Sequence, residues 1–228
     1  MDYTKEVWID PVAVVQLFTK TALFRTGNNE ELLELVKQRK YKITTEAWRA
    51  AMYLLALGEI NKNVKYFLRP NPKDPPDFYG LDLFMVDDNL RGYVRDIEVF
   101  QYPNESELTL TEEISKKINK NYSKKTSLIC QITRKNFKDT LGNINKELST
   151  YPKKYEVWII GSSGKNGIQI VAQVHPSLQL VYIDISEMML RTPSPSFIQG
   201  YPGKSSGFIF ENTGKKVTLT PGFEIIEE

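Results

Sequence analysis

Four carboxylates near the middle of the chain are the side chains best placed to do chemistry. Asp77 and Asp82 lie just before and within one apolar run, and Asp96 and Glu98 lie within a second. An ionised carboxylate that loses its water needs a partner, which is either a basic group or a divalent cation. Arg95, or a lysine of a neighbouring helix, is a candidate basic partner. The alternative is Mg²⁺ or Mn²⁺ held by carboxylates, waters and a substrate phosphate, which would polarise a phosphodiester and activate an attacking water.

The counts of cysteine and histidine narrow the kind of metal site. The 228 residues include one cysteine, Cys130, and one histidine, His175. These counts exclude a disulfide within the chain, a multi-cysteine zinc site and a multi-histidine metal site. Cys130 lies in an apolar segment and is expected to be an inert buried thiol. We expect His175 to be structural or exposed, so any metal site must be built from carboxylates.

Charge is segregated along the chain, although the formal net charge is only +2. Residues 74–113 contain eleven acids and two arginines, a balance of −9, whereas residues 115–154 contain eleven bases and two acids, a balance of +9. One interpretation is two solvated faces of opposite sign. The other is a carboxylate cluster beside a surface that attracts a polyanion. Under the second interpretation, the residues expected to contact backbone phosphates are Lys116, Lys117, Lys120, Lys124, Lys125, Arg134, Lys135 and Lys138.

The two carboxylate-bearing runs are predicted to form a β-hairpin. Residues 81–86 and 93–102 are strand-like, and the segment between them is rich in turn residues. If the turn is centred between residues 89 and 90, Asp82 lies opposite residues near 97. In this register or its neighbour, Asp82 sits beside Glu98 or Asp96 on a common face of the sheet.

The remaining pattern predicts an α/β fold with a mixed central β-sheet flanked by helices in three layers. Helices are predicted over residues 11–24, 29–39, 44–57 and 137–151, and a shorter one follows a capping box formed by Thr109 and Glu112. Further strands are predicted over residues 127–132, 156–160, 168–174 and 180–185, and a small hairpin over residues 208–210 and 217–219. This divides the chain into an N-terminal helical segment (1–43), an α/β core (44–190) and a C-terminal β/loop extension (191–228).

No run of apolar residues is long enough to span a membrane, and the N-terminus lacks the pattern of a signal peptide. We therefore expect a cytoplasmic protein without a membrane partner.

The hairpin segment resembles the core of the PD-(D/E)xK nuclease superfamily, whose members have a restriction-endonuclease-like fold. The resemblance is carried by Pro76-Asp77, by the run from Gly80 to Val86, and by Asp96-Ile97-Glu98-Val99-Phe100-Gln101, and it covers roughly residues 44–160. It implies a mixed sheet flanked by helices and cleavage of DNA or RNA phosphodiesters with Mg²⁺. DNA is favoured over RNA, and a homodimer is an assembly that many enzymes cutting both strands adopt.

Residue by residue, the first acid of the motif is Asp77 or Asp82, of which the hairpin geometry favours Asp82. The second acid is Asp96 or Glu98, of which the apolar flanks favour Glu98. Glu46, on the helix before the hairpin, resembles an additional acidic ligand that some members use.

The motif lysine is missing. Counting from Glu98 places Phe100 at its position, and counting from Asp96 places Glu98 there. In the family this lysine orients the nucleophilic water and stabilises developing charge. The residues that could stand in for it are Gln101, Lys116, Lys117 and Lys120.

Three functions remain open on the sequence. The leading one is a metal-dependent nuclease with Asp82 and Glu98 as metal ligands, assisted by Asp96 or Asp77. The second is a non-catalytic descendant of the same fold that binds nucleic acid or another protein, which the missing lysine favours. The third is an unrelated α/β interaction module whose acidic hairpin and basic helices pair with each other or dock on a partner.

Overall fold

A computed structural model describes residues 6–26, 42–71, 76–86, 89–102, 107–120, 122, 126–132, 137–152, 155–163, 167–194, 197–199, 208–212, 215–218 and 224–227. The helices of this described part are α1 (Pro11–Thr26), α2 (Lys42–Ile60), α3 (Leu110–Ile118), α4 (Phe137–Leu148) and α5 (Ile185–Leu190). Its strands are β1 (Glu6–Trp8), β2 (Lys65–Pro70), β3 (Phe78–Val86), β4 (Asn89–Gln101), β5 (Thr126–Gln131), β6 (Tyr155–Ser162), β7 (Ile168–His175), β8 (Gln179–Asp184), β9 (Phe197–Gln199), β10 (Phe208–Asn212), β11 (Lys215–Thr218) and β12 (Glu224–Glu227).

The main sheet is mixed, and seven of its strands lie side by side in chain order from β2 to β8. β2, β3 and β4 are antiparallel neighbours, β4, β5 and β6 are parallel, and β6, β7 and β8 are again antiparallel. Helices α3 and α4 are the connections between the parallel strands, as a parallel pair requires. The short strand β12 pairs in parallel with the first half of β4. The predicted α/β class with a mixed sheet is confirmed.

The sheet is covered by helices on both faces, which we call the α2 face and the α3/α4 face. On the α2 face, α2 packs on the sheet and α1 packs on α2 around a core that includes Ile97, Ile129 and Trp158. On the other face, α3 and α4 pack on a core that includes Leu128 and Ile159. Because side chains alternate along a strand, neighbouring residues such as Leu128 and Ile129 of β5 belong to opposite cores.

The two helices that flank the hairpin form for different sequence reasons. Residues 48–57 of α2 are all buried, which is the environment expected of a helix that is apolar on every side. α3 begins at the predicted capping box, in which the Thr109 side chain accepts from the backbone N–H of Glu112 and the Glu112 carboxylate accepts from that of Thr109. Ile114 and Ile118 of α3 are buried against the sheet.

A second, four-stranded sheet joins the two ends of the chain. Its strand order is β1-β9-β10-β11, and its neighbouring strands are antiparallel. The pair β10 and β11 matches the hairpin predicted near the C-terminus. Trp8 of β1 is buried, and the following residue, Ile9, forms a bridge to Leu68 of β2.

Strand β2 was not among the strands predicted from the sequence. It ends at Pro70 on the edge of the sheet, where a missing N–H breaks no inner ladder. The helix predicted over residues 29–39 lies outside the described residues. Within the described part, each helix is too short or too polar to cross a bilayer.

Candidate functional site

The register of the hairpin places Asp82 and Glu98 on opposite faces of the sheet. Val86 pairs with Asn89, so only two residues separate β3 and β4, and the reversal comes earlier than predicted. Asp82 pairs with Tyr93, and alternation along β4 therefore sets Glu98 on the other face. The prediction that Asp82 shares a face with Glu98 or Asp96 is wrong, and Asp82 and Glu98 cannot hold one ion between them.

Asp82 belongs instead to a buried network on the α2 face, which we call the Arg95 network (Tyr53, Asp82, Arg95, Ser127 and Glu156). The Arg95 guanidinium donates to both oxygens of Asp82, with an Nε–Oδ1 distance of 3.0 Å. Its Nη1 donates to the Tyr53 hydroxyl at 2.6 Å and lies 3.4 Å from Glu156 Oε2. The Tyr53 hydroxyl also lies 2.8 Å from Ser127 Oγ. Of the two partners predicted for a buried carboxylate, a basic group or a divalent cation, Asp82 therefore has the basic group, Arg95.

The electrostatics of the Arg95 network keep Arg95 charged and Tyr53 neutral. Burial lowers the pKa of Arg95, but Tyr53, Asp82 and Glu156 together outweigh it and raise that pKa well above the usual value. Burial raises the pKa of Tyr53 far above its usual range. The network thus ties together α2, β3, β4, β5 and β6 through one permanent cation.

Glu98 lies on the α3/α4 face, where only 4% of the residue is exposed. Its Oε1 accepts from Lys117 Nζ of α3 at 3.0 Å, and Lys120 Nζ lies 3.9 Å away. The Lys117 ammonium also lies 5.3 Å from the centre of the Phe100 ring. The other oxygen, Oε2, is buried and has no hydrogen-bond partner in the described part of the chain. A buried carboxylate oxygen without a donor is costly, so a cation or water fits this position.

Asp77 is the acid that the fold brings level with Glu98. Its Oδ2 accepts from the backbone N–H of Val99 at 2.7 Å, and this N–H belongs to the peptide that links Glu98 to Val99. The last hairpin pair joins Phe78 to Ile97, and one further step in that register sets Asp77 opposite Glu98. The geometry therefore favours Asp77 over Asp82 as the first acid, the reverse of the preference drawn from the sequence.

The carboxylates of Asp77 and Glu98 are chemically suited to an Mg²⁺ or Mn²⁺ ion that has few protein ligands. Asp77 and Glu98 offer two carboxylates on one face of the sheet, and Mg²⁺ commonly takes one or two carboxylates alongside waters and phosphate oxygens. Among the residues that the structure describes, no three histidine, cysteine or acidic side chains come together. Water and substrate would therefore have to complete the coordination.

The other acids predicted at the site are dispersed. Asp96 shares the face of Glu98 but pairs with Tyr79 of β3 and Thr126 of β5, two residues down the strand. Glu46 lies on α2 and is half-buried on the opposite side of the sheet. The predicted set of four metal ligands is therefore not brought to one point.

Neither the protein-family models nor the curated proteins compared with this chain give a match.

The basic residues predicted to bind nucleic acid are only partly described. Lys116 is exposed on α3, Lys117 is engaged by Glu98, and the Lys120 side chain is 55% exposed beside it. The predicted residues that lie outside the described part are Lys124, Lys125, Arg134 and Lys135. Lys138 falls in α4, but its side chain is likewise outside the description.

Gln101 is predicted as a stand-in for the motif lysine, but it belongs to a hydrogen-bonded cluster that was not predicted from the sequence. We call it the Arg49 cluster (Arg49, Gln101 and Gln131). Arg49 Nε donates to Gln131 Oε1 at 2.6 Å, and its Nη2 donates to Gln101 Oε1 at 3.2 Å. Gln101 therefore lies on the α2 face, away from Glu98. A sequence signal was present, because Arg49 and Tyr53 stand one turn apart among the otherwise apolar residues 47–57 of α2.

Proposed function

We propose that this protein is a metal-dependent nuclease that hydrolyses nucleic-acid phosphodiester bonds. Asp77 and Glu98 are assigned as the metal-binding carboxylates, and Lys117 is assigned the role of the motif lysine. DNA is the favoured substrate. This assignment keeps Glu98 from the sequence-based prediction and replaces Asp82 with Asp77 and Gln101 with Lys117.

The observation that carries the proposal is the environment of the Glu98 carboxylate. It is buried, one oxygen accepts from Lys117, and the other has no donor in the described part of the chain. An incompletely bonded buried acid destabilises a fold, whereas an apolar side chain at this position would avoid that cost. A buried polar atom without a partner calls for an explanation, and an ion or water bound at a functional site is one.

The order of the elements also supports a restriction-endonuclease-like core. The sequence α2, then the antiparallel strands β2, β3 and β4, then α3 and the parallel strand β5, is a mixed sheet with a helix on each face. The resemblance to PD-(D/E)xK nucleases rests on the same segments. Within those segments, Asp77 follows Pro76 directly before β3, and Glu98 lies in β4.

The chemistry divides between the ion and the chain. A bound Mg²⁺ or Mn²⁺ would supply Lewis acidity towards a phosphodiester oxygen and a lowered pKa for bound water. Asp77 and Glu98 would hold the ion, and the backbone N–H of Val99 fixes the Asp77 carboxylate. Lys117 would orient the attacking water and stabilise negative charge on the phosphate, because its ammonium already lies against the second acid.

Cleavage assays on the whole chain test this assignment. Plasmid, single-stranded DNA and RNA are incubated with the protein in Mg²⁺ or Mn²⁺, alongside Asp77→Asn, Glu98→Gln and Lys117→Met. Each substitution is expected to reduce the cleavage rate by roughly 10²–10⁴-fold, since each removes a metal ligand or a group that acts on the reacting atoms. Lys116→Met is the matched control, because it removes the neighbouring exposed ammonium and should leave the rate nearly unchanged.

Circular dichroism confirms that each variant is folded before rates are compared. Cleavage that persists at the wild-type rate in both Asp77→Asn and Glu98→Gln would show that the site is wrongly assigned. Cleavage lost equally in Lys116→Met and Lys117→Met would mean that Lys117 contributes only general positive charge.

A non-catalytic nucleic-acid-binding or protein-binding module is the second candidate, and the same ion pair favours it. Lys117 already neutralises Glu98, so the acid is stable without a metal. Isothermal titration with Mn²⁺ separates the two candidates. Binding that disappears in Glu98→Gln supports the nuclease, whereas nucleic-acid binding without Mn²⁺ binding or cleavage supports the module.

A further inference from the structure

The Arg49 cluster lies where two parallel strands end. Gln101 is the last residue of β4 and Gln131 is the last residue of β5, and the two are register partners. Arg49 reaches them from α2, which covers this face of the sheet. Gln101 is exposed, so the cluster borders solvent at the carboxyl edge of the sheet. Ligands of α/β sheets commonly bind at this edge.

Arg49 is a buried cation whose direct partners are neutral. The residue is 5% exposed, and its two hydrogen bonds go to amide oxygens. Burial lowers the pKa of Arg49, and Glu46, one turn earlier on α2, opposes that shift from a distance. Arg95 and Arg191 differ, because each forms an ion pair with a carboxylate. Buried charges are normally paired, so it is unusual that Arg49 has no contacting counter-ion within the described part of the chain.

The cluster also contains several hydrogen-bond donors that have no partner in the described part of the chain. Both glutamines turn their Oε1 towards Arg49, which directs their Nε2 hydrogens away from it. The two bonds occupy Nε and Nη2 of Arg49, and in the described part of the chain Nη1 and both Nε2 groups remain available as donors. A guanidinium and two amides are suited to a tetrahedral oxyanion, for which arginine is the preferred planar donor.

We infer that Arg49, Gln101 and Gln131 form an anion site that binds a phosphate group, and that in the working protein this phosphate belongs to a nucleic-acid backbone. The second part rests on the proposed function. Gln101 lies three residues beyond Glu98 on β4, about 10 Å along the strand and on the other face. A nucleic-acid strand that crosses the carboxyl edge of the sheet would place one phosphate at the Glu98 site and another at Arg49.

The decisive variant is Gln101→Glu, which supplies an internal carboxylate where the phosphate is inferred to bind. It should stabilise the protein, because it pairs Arg49, and it should abolish the response to added anion. Gln179→Glu introduces the same charge at an exposed position of β8 and is the matched control. Arg49→Lys keeps the positive charge but loses the planar guanidinium, so it should weaken phosphate binding. If Arg49→Lys fails to fold, the Gln101→Glu result still tests the inference.

Thermal unfolding of the whole chain with inorganic phosphate is the first measurement. Wild type and Gln179→Glu are expected to shift to higher Tm, whereas Gln101→Glu is expected to start higher and not to respond. The inference is overturned if phosphate leaves wild-type Tm unchanged or stabilises Gln101→Glu equally.

Fluorescence anisotropy with a single-stranded oligonucleotide in EDTA is the second measurement. Gln101→Glu is expected to bind about tenfold more weakly than Gln179→Glu, in keeping with the loss of a charge-assisted hydrogen bond. Phosphate-dependent stabilisation without oligonucleotide binding would support the anion site, assign it to a free phosphate and count against the proposed function. Equal oligonucleotide affinity of the two variants would overturn the nucleic-acid part of the inference.

Discussion

Asp82 and Glu98 are chemically similar residues with different surroundings, and the difference comes from the faces of the sheet on which they lie. On the α2 face, Asp82 meets a guanidinium fork that satisfies both of its oxygens. On the α3/α4 face, Glu98 meets the ammonium of Lys117 and, farther away, that of Lys120, both at Oε1, and Oε2 has no donor in the described part of the chain. The first carboxylate is complete as a structural ion pair. The second retains capacity for a ligand, and for that reason the proposed chemistry is assigned to it.

At the same scale, the single thiol of the chain should be unreactive in the folded protein. Cys130 is fully buried in β5, and burial raises its pKa well above the usual value. Because the thiolate is the reactive form, reaction with a disulfide reagent at pH 8 should require unfolding. Native protein should therefore react far more slowly than protein in guanidinium chloride, which should release one equivalent per chain. Rapid reaction of the native protein would contradict the burial of Cys130.

The elements were predictable where a local signal specifies them. The capping box at Thr109, the apolar stripe from Leu141 to Leu148 and the run from Ser127 to Ile132 are such signals, and helices α3 and α4 and strand β5 appear there. The register of the hairpin is different, because it depends on where the chain reverses. An uncertainty of a few residues in the turn left the pairing of Asp82 undecided, and the true register puts Tyr93 opposite it.

The contacts that define the candidate site were harder to predict than the elements. Lys117 was among three candidate lysines, and only the packing of α3 on the sheet brings its ammonium to Glu98. Arg49 and Gln131 are 82 residues apart in the chain, and no local pattern joins them. The sequence indicated which residue types were available, whereas tertiary packing determined which of them meet.

One element can be tested through its cap. Thr109→Ala removes the side-chain acceptor for the Glu112 N–H, and the free energy of unfolding should fall by about 1 kcal/mol. Thr111→Ala, two residues into the same helix, is the control and should change stability little. Urea unfolding at neutral pH measures both. Equal stability of Thr109→Ala and wild type would mean that the cap contributes nothing to α3 in the folded chain.

For the whole molecule, the Arg95 network is a buried polar connection between α2 and the sheet. Arg95→Met would leave Asp82 and Glu156 buried without their cation, and we expect a loss of about 3–5 kcal/mol in the free energy of unfolding. Arg191→Met breaks an exposed pair with Glu59 and should cost less than about 1 kcal/mol. Chemical denaturation of the two variants provides the comparison. A similar small loss in both would show that the network is not needed for stability.

The small sheet that joins the chain ends also has a consequence for how the molecule is made. Glu6, Val7 and Trp8 pair with residues 199, 198 and 197, so β1 finds its partner only after strands β2 to β8 have all been synthesised. The entropic cost of closing so long a loop rises slowly with its length, and the bridge from Ile9 to Leu68 holds the segment near the core much earlier. During translation the β2–β8 sheet can therefore assemble before its neighbour, and closure of the small sheet follows as a separate step.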